Sequence, residues 1–407
     1  LGVSIAGATG TGKTFVLAHA IEALSKPTLV LAPNKVLAAQ LWSELHSLFP
    51  DNCVKFFCSH FDFYRPESYS RATDNYVEKR SATNSRIDAL RHDATRSLLE
   101  RRDTIVVATV SCIYGLGMPA EYVEAAIPLQ EGQPWASPAA LADTIASLRY
   151  APGSSDRGSY SLVENDGAVT LSVGLVVDDL RLDVRLVSDD TWTIESLALV
   201  GEDASSTVDA YVLYPASHHA ATPEEIERAC DDIEIELVQE LERHLTAGRW
   251  REAERLRRRV SDDVAMLRAE GWCAGAENYA RHLSGRAEHE APATLIDYFP
   301  DDDWLLVVDE AHVAVPQLRG MHAGDRARKT SLVENGFRLK SALDNRPLTA
   351  SEFWARVPQA VLATATPSED VLDMCDRRPE NVASLVVRPT GVVDPSVTVV
   401  NASKAGG

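Results

Sequence analysis

Short apolar runs alternate with amphipathic segments along the first 110 residues of the chain. The runs are typical of strands buried on both faces, and they are Val3–Ala6, Pro27–Ala32, Val54–Cys58 and Thr104–Thr109. Apolar residues at helical spacing lie between them, over Thr14–Leu24, Lys35–Leu48 and about Asn84 to Glu100. Strands that alternate with helices predict an α/β fold with a doubly wound parallel sheet.

This alternation is interrupted and resumes near the end of the chain. Residues 151–213 show β-branched alternation and a turn at Asn165-Asp166-Gly167, which predicts a small inserted β-rich domain. Thr222–Glu270 has a capping start and a break near Gly248, which predicts two helices. Their charge on most faces leads us to expect a helical hairpin that lies on the sheet. "WLLVVDEAH" and "QAVLATATP" then restore the order of strand, loop and helix.

One stretch shows neither the helical spacing nor the strand alternation of apolar residues. "SHFDFYRPESYSRATDNYVEKR", residues 59–80, mixes aromatic and charged residues without a helical stripe, and it alternates only at its start. The aromatic residues are Phe61, Phe63, Tyr64, Tyr69 and Tyr76. They either lie on the surface for a functional reason or fold back onto the protein.

Composition and charge exclude few classes of function. The 407 residues are 45% hydrophobic and 25% charged, as in ordinary globular proteins. The sequence has no apolar run long enough to span a membrane, and we expect a cytoplasmic protein. The net charge of −20 is unusual for a nucleic-acid binder. Residues 151–213 hold twelve acidic residues against three arginines, whereas residues 61–110 are nearly neutral, so DNA binding is not excluded.

"GATGTGKT", Gly7–Thr14, matches the phosphate-binding loop pattern at every fixed position. The alternative, a chance glycine-rich turn, does not explain the strand before it and the helix after it. Backbone N–H groups of such a loop bind phosphates, the lysine reaches the β- and γ-phosphates, and the threonine hydroxyl binds Mg²⁺. The expected ATP-binding residues are Gly7, Ala8, Thr9, Gly10, Thr11, Gly12, Lys13 and Thr14.

The second half of a nucleotide site is predicted at "LLVVDEAH". Asp309 would hold Mg²⁺ together with Thr14, and Glu310 would polarise the attacking water. An acidic pair after a strand is often only a solvated end, but the phosphate loop strengthens the assignment. "ATATP", Ala363–Pro367, is either a third element linking nucleotide to nucleic acid or a simple turn.

Several blocks together resemble UvrB, the family of B components of the ABC excinuclease. They are "GATGTGKT", "LAPNKVLAAQLWSEL", "FDFYRPESY", "ERRDTIVVATVSCIYGLG", "ENYARHL", "DYFPDD", "VVDEAHVAVPQLRGMHAGDRARK", "GFRLKSALDNRPLT" and "RPTGVVDP". The resemblance runs from Leu1 to about Val399. It implies a damage-verifying, ATP-dependent helicase-like component of bacterial nucleotide excision repair, with UvrA, UvrC and UvrD as partners of the full-length protein.

The resemblance also implies a division of the chain around a RecA-like domain. The expected regions are 1–120 with a β-hairpin at 60–83, an inserted UvrA-interacting domain at 121–215, a mostly helical subdomain at 216–300, the second part of the RecA-like domain at 301–390, and a connection to a second helicase domain at 391–407. One strand of damaged DNA would lie between the hairpin and the body. The residues expected to contact DNA are Phe61, Phe63, Tyr64, Glu67, Tyr69, Tyr76, Lys79 and Arg91, with Arg80 and Arg86 near phosphates.

The sequence departs from the family pattern in three places. His60-Phe61 and Phe63-Tyr64 replace the usual paired tyrosines, which keeps stacking but loses hydroxyl groups. Arg157-Gly158 is followed by "SYSLVENDG" without basic residues, so we expect weakened or rearranged UvrA binding. The arginine-bearing block of a second helicase domain is not among these residues, so we expect the chain alone to bind ATP weakly and hydrolyse it hardly at all.

Two other functions remain open from the sequence. One is a processive superfamily 2 helicase or translocase that shares only the ATPase core. The other is a non-catalytic DNA-binding scaffold, although Lys13 and Glu310 are present. Smaller features also have two interpretations. Arg249–Arg259 is either a solvated helix face or a DNA surface, and Arg326, Arg328 and Lys329 either line a DNA path or have structural roles.

Overall fold

The computed structural model describes residues 2–8, 10–177, 179–219, 221–388 and 396–398. The first part of the chain alternates strand and helix, as the apolar pattern predicts. Its elements are β1 (Gly2–Gly7), α1 (Lys13–Leu24), β2 (Thr28–Leu31), α2 (Lys35–Leu48) and β3 (Cys53–Phe57). A β-hairpin follows, called the hairpin below, with strands β4 (Phe61–Arg65), β5 (Ser68–Ser70), β6 (Asn75–Val77) and β7 (Arg80–Thr83). The segment ends with α3 (Ser85–Glu100) and β8 (Thr104–Ala108).

A β-rich region interrupts the central sheet. It comprises α4 (Pro119–Glu124), β9 (Ile127–Gln130), β10 (Pro134–Trp135), α5 (Pro138–Ser147), β11 (Ala151–Pro152), β12 (Ser159–Asn165), β13 (Ala168–Gly174), β14 (Arg181–Ser188), β15 (Trp192–Val200), β16 (Ser205–Val208) and β17 (Ala210–Leu213). The order β10-β15-β14-β13-β12-β11, with β16 beside β15, forms a second sheet. On β14, Leu182, Val184 and Leu186 alternate inward, and α5 contributes Leu141 and Ile145 to the same core.

The next region is helical, with α6 (Pro223–Thr246), α7 (Trp250–Glu270) and α8 (Ala280–Leu283). Thr222 and Glu225 form a reciprocal capping box at the start of α6. The expectation that these helices lie on the central sheet is wrong. Their apolar stripes share a separate core, which Tyr279 and Leu339 complete. The charge pattern hid this stripe, because one face of each helix is apolar and the other faces carry the charges.

The chain then returns to the central sheet. The returning elements are β18 (Leu305–Val308), α9 (Ala311–Glu334), α10 (Ala350–Ala355), β19 (Ala360–Thr364), α11 (Glu369–Met374) and β20 (Val382–Leu385). The completed sheet has the order β20-β1-β19-β18-β2-β8-β3, and every neighbouring pair is parallel. Apolar cores cover both faces, which explains the unbroken apolar runs of β2, β8 and β18. The predicted α/β class with a parallel sheet is confirmed.

None of the helices that the structure describes is long and apolar enough to cross a membrane. The predicted connection at 391–407 lies outside the described residues apart from 396–398.

Candidate nucleotide site and nucleic-acid interface

Three loops meet at one edge of the central sheet. β1, β19 and β18 are adjacent and parallel, so the loops that follow their carboxyl ends lie side by side. These loops carry the predicted phosphate loop, the "ATATP" segment and the DEAH residues. The edge where strands of a doubly wound sheet end is the usual place for a ligand in such folds.

The phosphate loop has the backbone that its glycines predict. Gly10 and Gly12 adopt φ of +82° and +81°, which side-chain-bearing residues disfavour. A Cβ at Gly7 would lie 2.7 Å from the Thr11 hydroxyl, so that position has no room for a side chain. The Thr11 hydroxyl donates to the Ala8 carbonyl at 2.7 Å. Thr9 lies outside the described residues.

Lys13 and Thr14 begin helix α1, directly after this loop. The Lys13 ammonium donates to the Gly7 carbonyl at 3.0 Å and lies 4.0 Å from Glu310 Oε1. Thr14 is half-buried. The two halves of the predicted site are therefore in contact, and a lysine ammonium, a hydroxyl and a helix N-terminus lie together.

Asp309 and Glu310 follow β18. Burial, with the neighbouring Glu310 charge, raises the pKa of Asp309 to about 6. Glu310 has φ of +45°, an uncommon backbone for a residue with a side chain. His312 Nδ1 lies 2.9 Å from the Thr364 hydroxyl and 3.5 Å from Glu310 Oε2, so it connects the DEAH residues to the "ATATP" segment.

The donor set suits Mg²⁺. Thr14 and Asp309 supply a hydroxyl and a carboxylate, the hard oxygen ligands that this ion prefers, and phosphate and water normally complete its shell. No cluster of three or more His, Cys, Asp or Glu that could hold a metal by itself is found among the described residues.

The hairpin leaves two aromatic rings in solvent near its base. β4 pairs with β7 and β5 pairs with β6, both antiparallel. Phe63 is 54% exposed and Tyr64 49% exposed. Tyr64 also stacks on Phe61, with ring centroids 5.0 Å apart. The Asn84 N–H donates to the His60 carbonyl at 2.7 Å and closes the base.

The tip of the hairpin packs onto the body. The Tyr76 ring stacks on Phe337 with centroids 4.5 Å apart and planes within 2°, and Tyr69 lies 4.9 Å from the same ring. Lys79 forms an ion pair with Glu277. The Ser331 hydroxyl donates to the Tyr69 carbonyl at 2.9 Å. One face of the Tyr76 ring is therefore covered by Phe337, and Tyr69 contacts the same ring in this conformation.

Two residues expected to contact DNA are buried, and that expectation needs correction. Glu67 is 6% exposed and pairs with Arg338, with Oε2 2.8 Å from Nε. Arg91 is 9% exposed, donates to the Cys58 carbonyl at 3.0 Å and lies 4.0 Å from the centre of the Phe57 ring. Both side chains hold the protein together here, because their charged atoms already have partners.

The other basic residues near the hairpin also fall into two groups, those with partners inside the protein and those that are exposed. Arg328 donates to the Glu67 carbonyl at 2.7 Å, and the Lys329 ammonium pairs with Asp325. Both have structural contacts, while Arg80, Arg86 and Arg326 are exposed. Sequence reasoning did not single out Phe337, Arg338 or Glu277 as hairpin anchors. These three residues lie in the blocks "GFRLKSALDNRPLT" and "ENYARHL", and the resemblance of these blocks to UvrB was the signal that could have pointed to them.

The sequence of the chain is similar to that of known proteins. A family model described as "UvrB third helical domain" matches residues 224–285, and one described as "Type III restriction enzyme, res subunit" matches residues 2–110. The chain is 48% identical over 397 residues to "UvrABC system protein B" of Nostoc sp., covering 97% of this chain and 58% of the relative.

Two further relatives have the same name. The protein from a Synechococcus strain is 47% identical over 415 residues, covering 97% of this chain and 59% of the relative. The protein from Acaryochloris marina is 46% identical over 398 residues, with 97% and 58% covered. The chain thus spans somewhat under three fifths of the length of these curated relatives.

Proposed function

Because the chain belongs to the family of UvrABC system protein B, we propose that it acts in nucleotide excision repair, in a damage-recognition subunit that binds ATP and clamps one DNA strand. One observation carries the proposal. The three loops of the predicted nucleotide site lie at one edge of the central sheet, and the tip of the aromatic hairpin is fastened to Phe337 of the same protein. A nucleotide-dependent change in the protein can therefore act on a strand that lies beneath the hairpin.

The nucleotide site is suited to ATP hydrolysis. Lys13 binds the β- and γ-phosphates, and the loop N–H groups bind the remaining phosphate oxygens. Glu310 orients a water for attack on the γ-phosphorus, the bond to the bridging oxygen breaks, and ADP and phosphate leave. Thr14 and Asp309 hold Mg²⁺, which when bound neutralises phosphate charge. His312 and Thr364 relay the state of this site to the neighbouring loop.

The hairpin is suited to test a strand by shape. Phe63 and Tyr64 offer exposed ring faces, and a stacked base contributes about 1–3 kcal/mol whatever its identity. Such contacts tolerate any sequence, which a sensor of chemically diverse lesions requires. Arg80, at the base of the hairpin, and Arg86, in α3, are exposed and can attract the phosphates of the strand. The strand opening that this subunit performs is limited to short DNA duplexes.

The protein partners follow from the family. UvrA meets the inserted β-rich domain, and UvrC and UvrD act with the full-length protein. In this chain Arg157 pairs with Asp179 and its guanidinium also donates to the Ser85 carbonyl. We therefore propose a rearranged UvrA contact. The proposal of a rearranged contact is contradicted if a pull-down shows that UvrA binds with the affinity normal for the family and that this binding depends on the usual face of the inserted domain.

The DNA role is tested with a bulky-adduct duplex and its undamaged counterpart. Phe63→Ala with Tyr64→Ala removes two exposed rings, so we expect the preference for the adduct to fall about tenfold or more. Trp272→Ala, which removes a 55% exposed ring from the helical region, is the matched control. An unchanged preference in the double variant overturns the proposed role of the hairpin.

The nucleotide role is tested by Lys13→Ala. Loss of charge-assisted contacts of about 1.5–3 kcal/mol predicts at least a tenfold loss of affinity for a fluorescent ATP analogue with Mg²⁺. Lys26→Ala removes a lysine at the opposite end of α1 and serves as the control. Equal nucleotide binding by wild type and Lys13→Ala favours the non-catalytic scaffold. Unwinding of long duplexes favours the processive helicase.

A further inference from the structure

Helix α6 carries two apolar stripes, and the described residues cover only one of them. The inner stripe belongs to the core shared with α7, and it consists of Ile226, Cys230, Ile233 and Leu237. The outer stripe lies on another face of the helix. Its residues are Ile235, Val238 and Leu245, which are 59%, 66% and 38% exposed. The proposed function makes no use of this outer stripe.

The outer stripe has the spacing of a helix-packing seam. Its positions follow one another at alternating intervals of four and three residues, and they are Asp231, Ile235, Val238, Glu242 and Leu245. This spacing keeps the side chains on one face of a helix, and it is the repeat by which helices pack in a coiled coil. Two heptads rise about 21 Å, which is long enough to hold a partner helix. We call this surface the α6 seam.

Acidic groups surround the α6 seam. The Arg268 guanidinium is shared by three carboxylates, at 2.9 to 3.0 Å, and these belong to Glu227, Asp231 and Glu234. Asp232 and Glu242 of the same helix have no ion-pair partner in the described part of the chain. Five carboxylates therefore lie around the seam, and one guanidinium is shared among three of them.

The two arginines of α6 offset this charge only in part. Arg243 pairs with Glu240, a buried residue outside the seam. Arg228 lies one turn before the seam, and its guanidinium donates to the carbonyls of His282 and Leu283. The five carboxylates are thus set against Arg228 and Arg268 alone, so the surface around the exposed apolar residues is negative.

The charge and the spacing of the α6 seam restrict what can cover it. A nucleic-acid strand would bring its phosphates against carboxylates, and a second copy that paired α6 with α6 would bring like charges together. Helix α7 of a second copy is basic, but its exposed large apolar residues are only Trp250 and Met266, which are too far apart to form a stripe. The matching occupant is a helix of another protein, with apolar residues at heptad spacing between lysines or arginines.

We propose that the α6 seam is the docking site for a basic amphipathic helix of a partner protein. The apolar residues of the seam pack against those of the partner helix, and the surrounding carboxylates pair with its basic residues. The seam contains none of the residues proposed to bind ATP or DNA. Docking at this surface is therefore a function additional to those of the nucleotide site and the hairpin.

A designed peptide serves as the probe. It has three heptads with isoleucine and leucine at the two core positions and lysine at the flanking positions, and it is labelled with fluorescein and kept dilute so that it does not self-associate. Anisotropy measures its binding to the 407-residue chain, and we expect saturable binding that weakens as salt is added. A peptide with the same core but glutamate at the flanking positions should bind at least tenfold more weakly.

Variants of the chain place the binding on the α6 seam. Ile235→Ser with Val238→Ser should lower the affinity for the lysine peptide about tenfold or more, because two apolar contacts are lost. Leu162→Ser with Val163→Ser changes two exposed aliphatic residues of β12, so this matched control should bind as wild type. Glu242→Lys should lower the affinity for the lysine peptide about fivefold and raise that for the glutamate peptide. Circular dichroism checks that each variant is folded.

Three results would each overturn the proposal: no saturable binding of the lysine peptide to wild type, equal binding of the two peptides, or unchanged binding by the Ile235→Ser, Val238→Ser variant. Sedimentation velocity tests the other occupant, and we expect a monomer. A wild-type dimer that this double variant abolishes assigns the seam to a second copy and also overturns the proposal. Phe63→Ala should bind the peptide as wild type, so failure of the proposed DNA role and failure of this inference are distinguishable.

Discussion

At the scale of single residues, the hairpin is held by a buried pair of charges. Glu67 and Arg338 form two contacts, of 2.8 and 3.1 Å, and are 6% and 5% exposed. The Tyr76 hydroxyl donates to the same carboxylate at 2.6 Å, and burial with this carboxylate raises the pKa of Tyr76 to about 12. A buried ion pair of this kind becomes costly when one partner is lost, because the other charge stays out of water.

We therefore expect Glu67→Ala to lower the free energy of unfolding by about 3–5 kcal/mol, measured by urea denaturation. Glu195→Ala breaks the exposed pair with Arg185, so its effect should stay below about 1 kcal/mol. A double variant, Glu67→Ala with Arg338→Leu, removes both charges and should recover part of the loss. Equal losses in Glu67→Ala and Glu195→Ala contradict this account.

Residue roles were predictable only where local sequence determines geometry. The phosphate loop is such a case, because Gly7, Gly10 and Gly12 fix the backbone within eight residues. Glu67 and Arg91 are the opposite case. The family resemblance implied contact with DNA, but their partners Arg338 and Phe57 could not be deduced from the local sequence pattern, so burial could not be anticipated.

At the scale of elements, the hairpin is a strand ribbon whose stability comes from packing at its tip. An isolated two-stranded ribbon is marginal in water. Here Tyr76 and Tyr69 pack on Phe337, and Arg328 and Ser331 of α9 donate to the hairpin backbone. The tip should therefore open when this packing is removed, while the central sheet stays intact.

Phe337→Ala is expected to increase the rate of tryptic cleavage at Arg71, which lies exposed in the turn of the hairpin, about tenfold or more. The physical reason is the loss of both ring contacts, which together hold the tip closed. Phe63→Ala removes a ring with no such role and should leave the rate unchanged. If mass spectrometry shows the same rate of tryptic cleavage for Phe337→Ala and wild type, the ring contacts at the tip do not hold the hairpin closed.

Elements of the central sheet were predictable from the sequence because strands buried on both faces carry unbroken apolar runs. The position of the helical hairpin was not, because an apolar stripe shows which face is buried but not what covers it. Ile233 and Val264 lie in a core with Leu339, a residue far along the chain. The edge strand β20 was also missed, since its partly exposed residues lack the long apolar run.

At the scale of the whole molecule, a buried polar cluster joins the central sheet domain to the β-rich region. The rings of His92 and His218 stack with centroids 3.9 Å apart, His218 Nε2 lies 2.9 Å from the Thr95 hydroxyl, and His92 Nδ1 lies 3.2 Å from the Tyr122 hydroxyl. Burial lowers the pKa of His92 to about 4 and that of His218 well below its ordinary value.

Stability should therefore fall with acidification. The unfolded chain protonates these histidines near pH 6.5, whereas folded His92 stays neutral down to about pH 4, so the unfolded state gains protons first. We expect the free energy of unfolding to drop below pH 6.5 by about 1.4 kcal/mol per pH unit for each histidine. For His92 this fall should end near pH 4.

The measurement is urea denaturation at pH 7 and pH 5. His92→Gln removes one titrating group and should show a smaller difference between the two pH values than wild type. His289→Gln, which changes an exposed histidine, should behave as wild type. A pH dependence unaffected by His92→Gln places the acid sensitivity elsewhere.

The double attachment of the hairpin has a topological consequence. Its base is continuous with the sheet domain and its tip is fastened to Phe337 and Glu277, so ribbon and body together form a closed ring. A linear strand with a free end can thread through such a ring. A covalently closed circle can become linked to it only when the tip detaches, and once linked it cannot slide off.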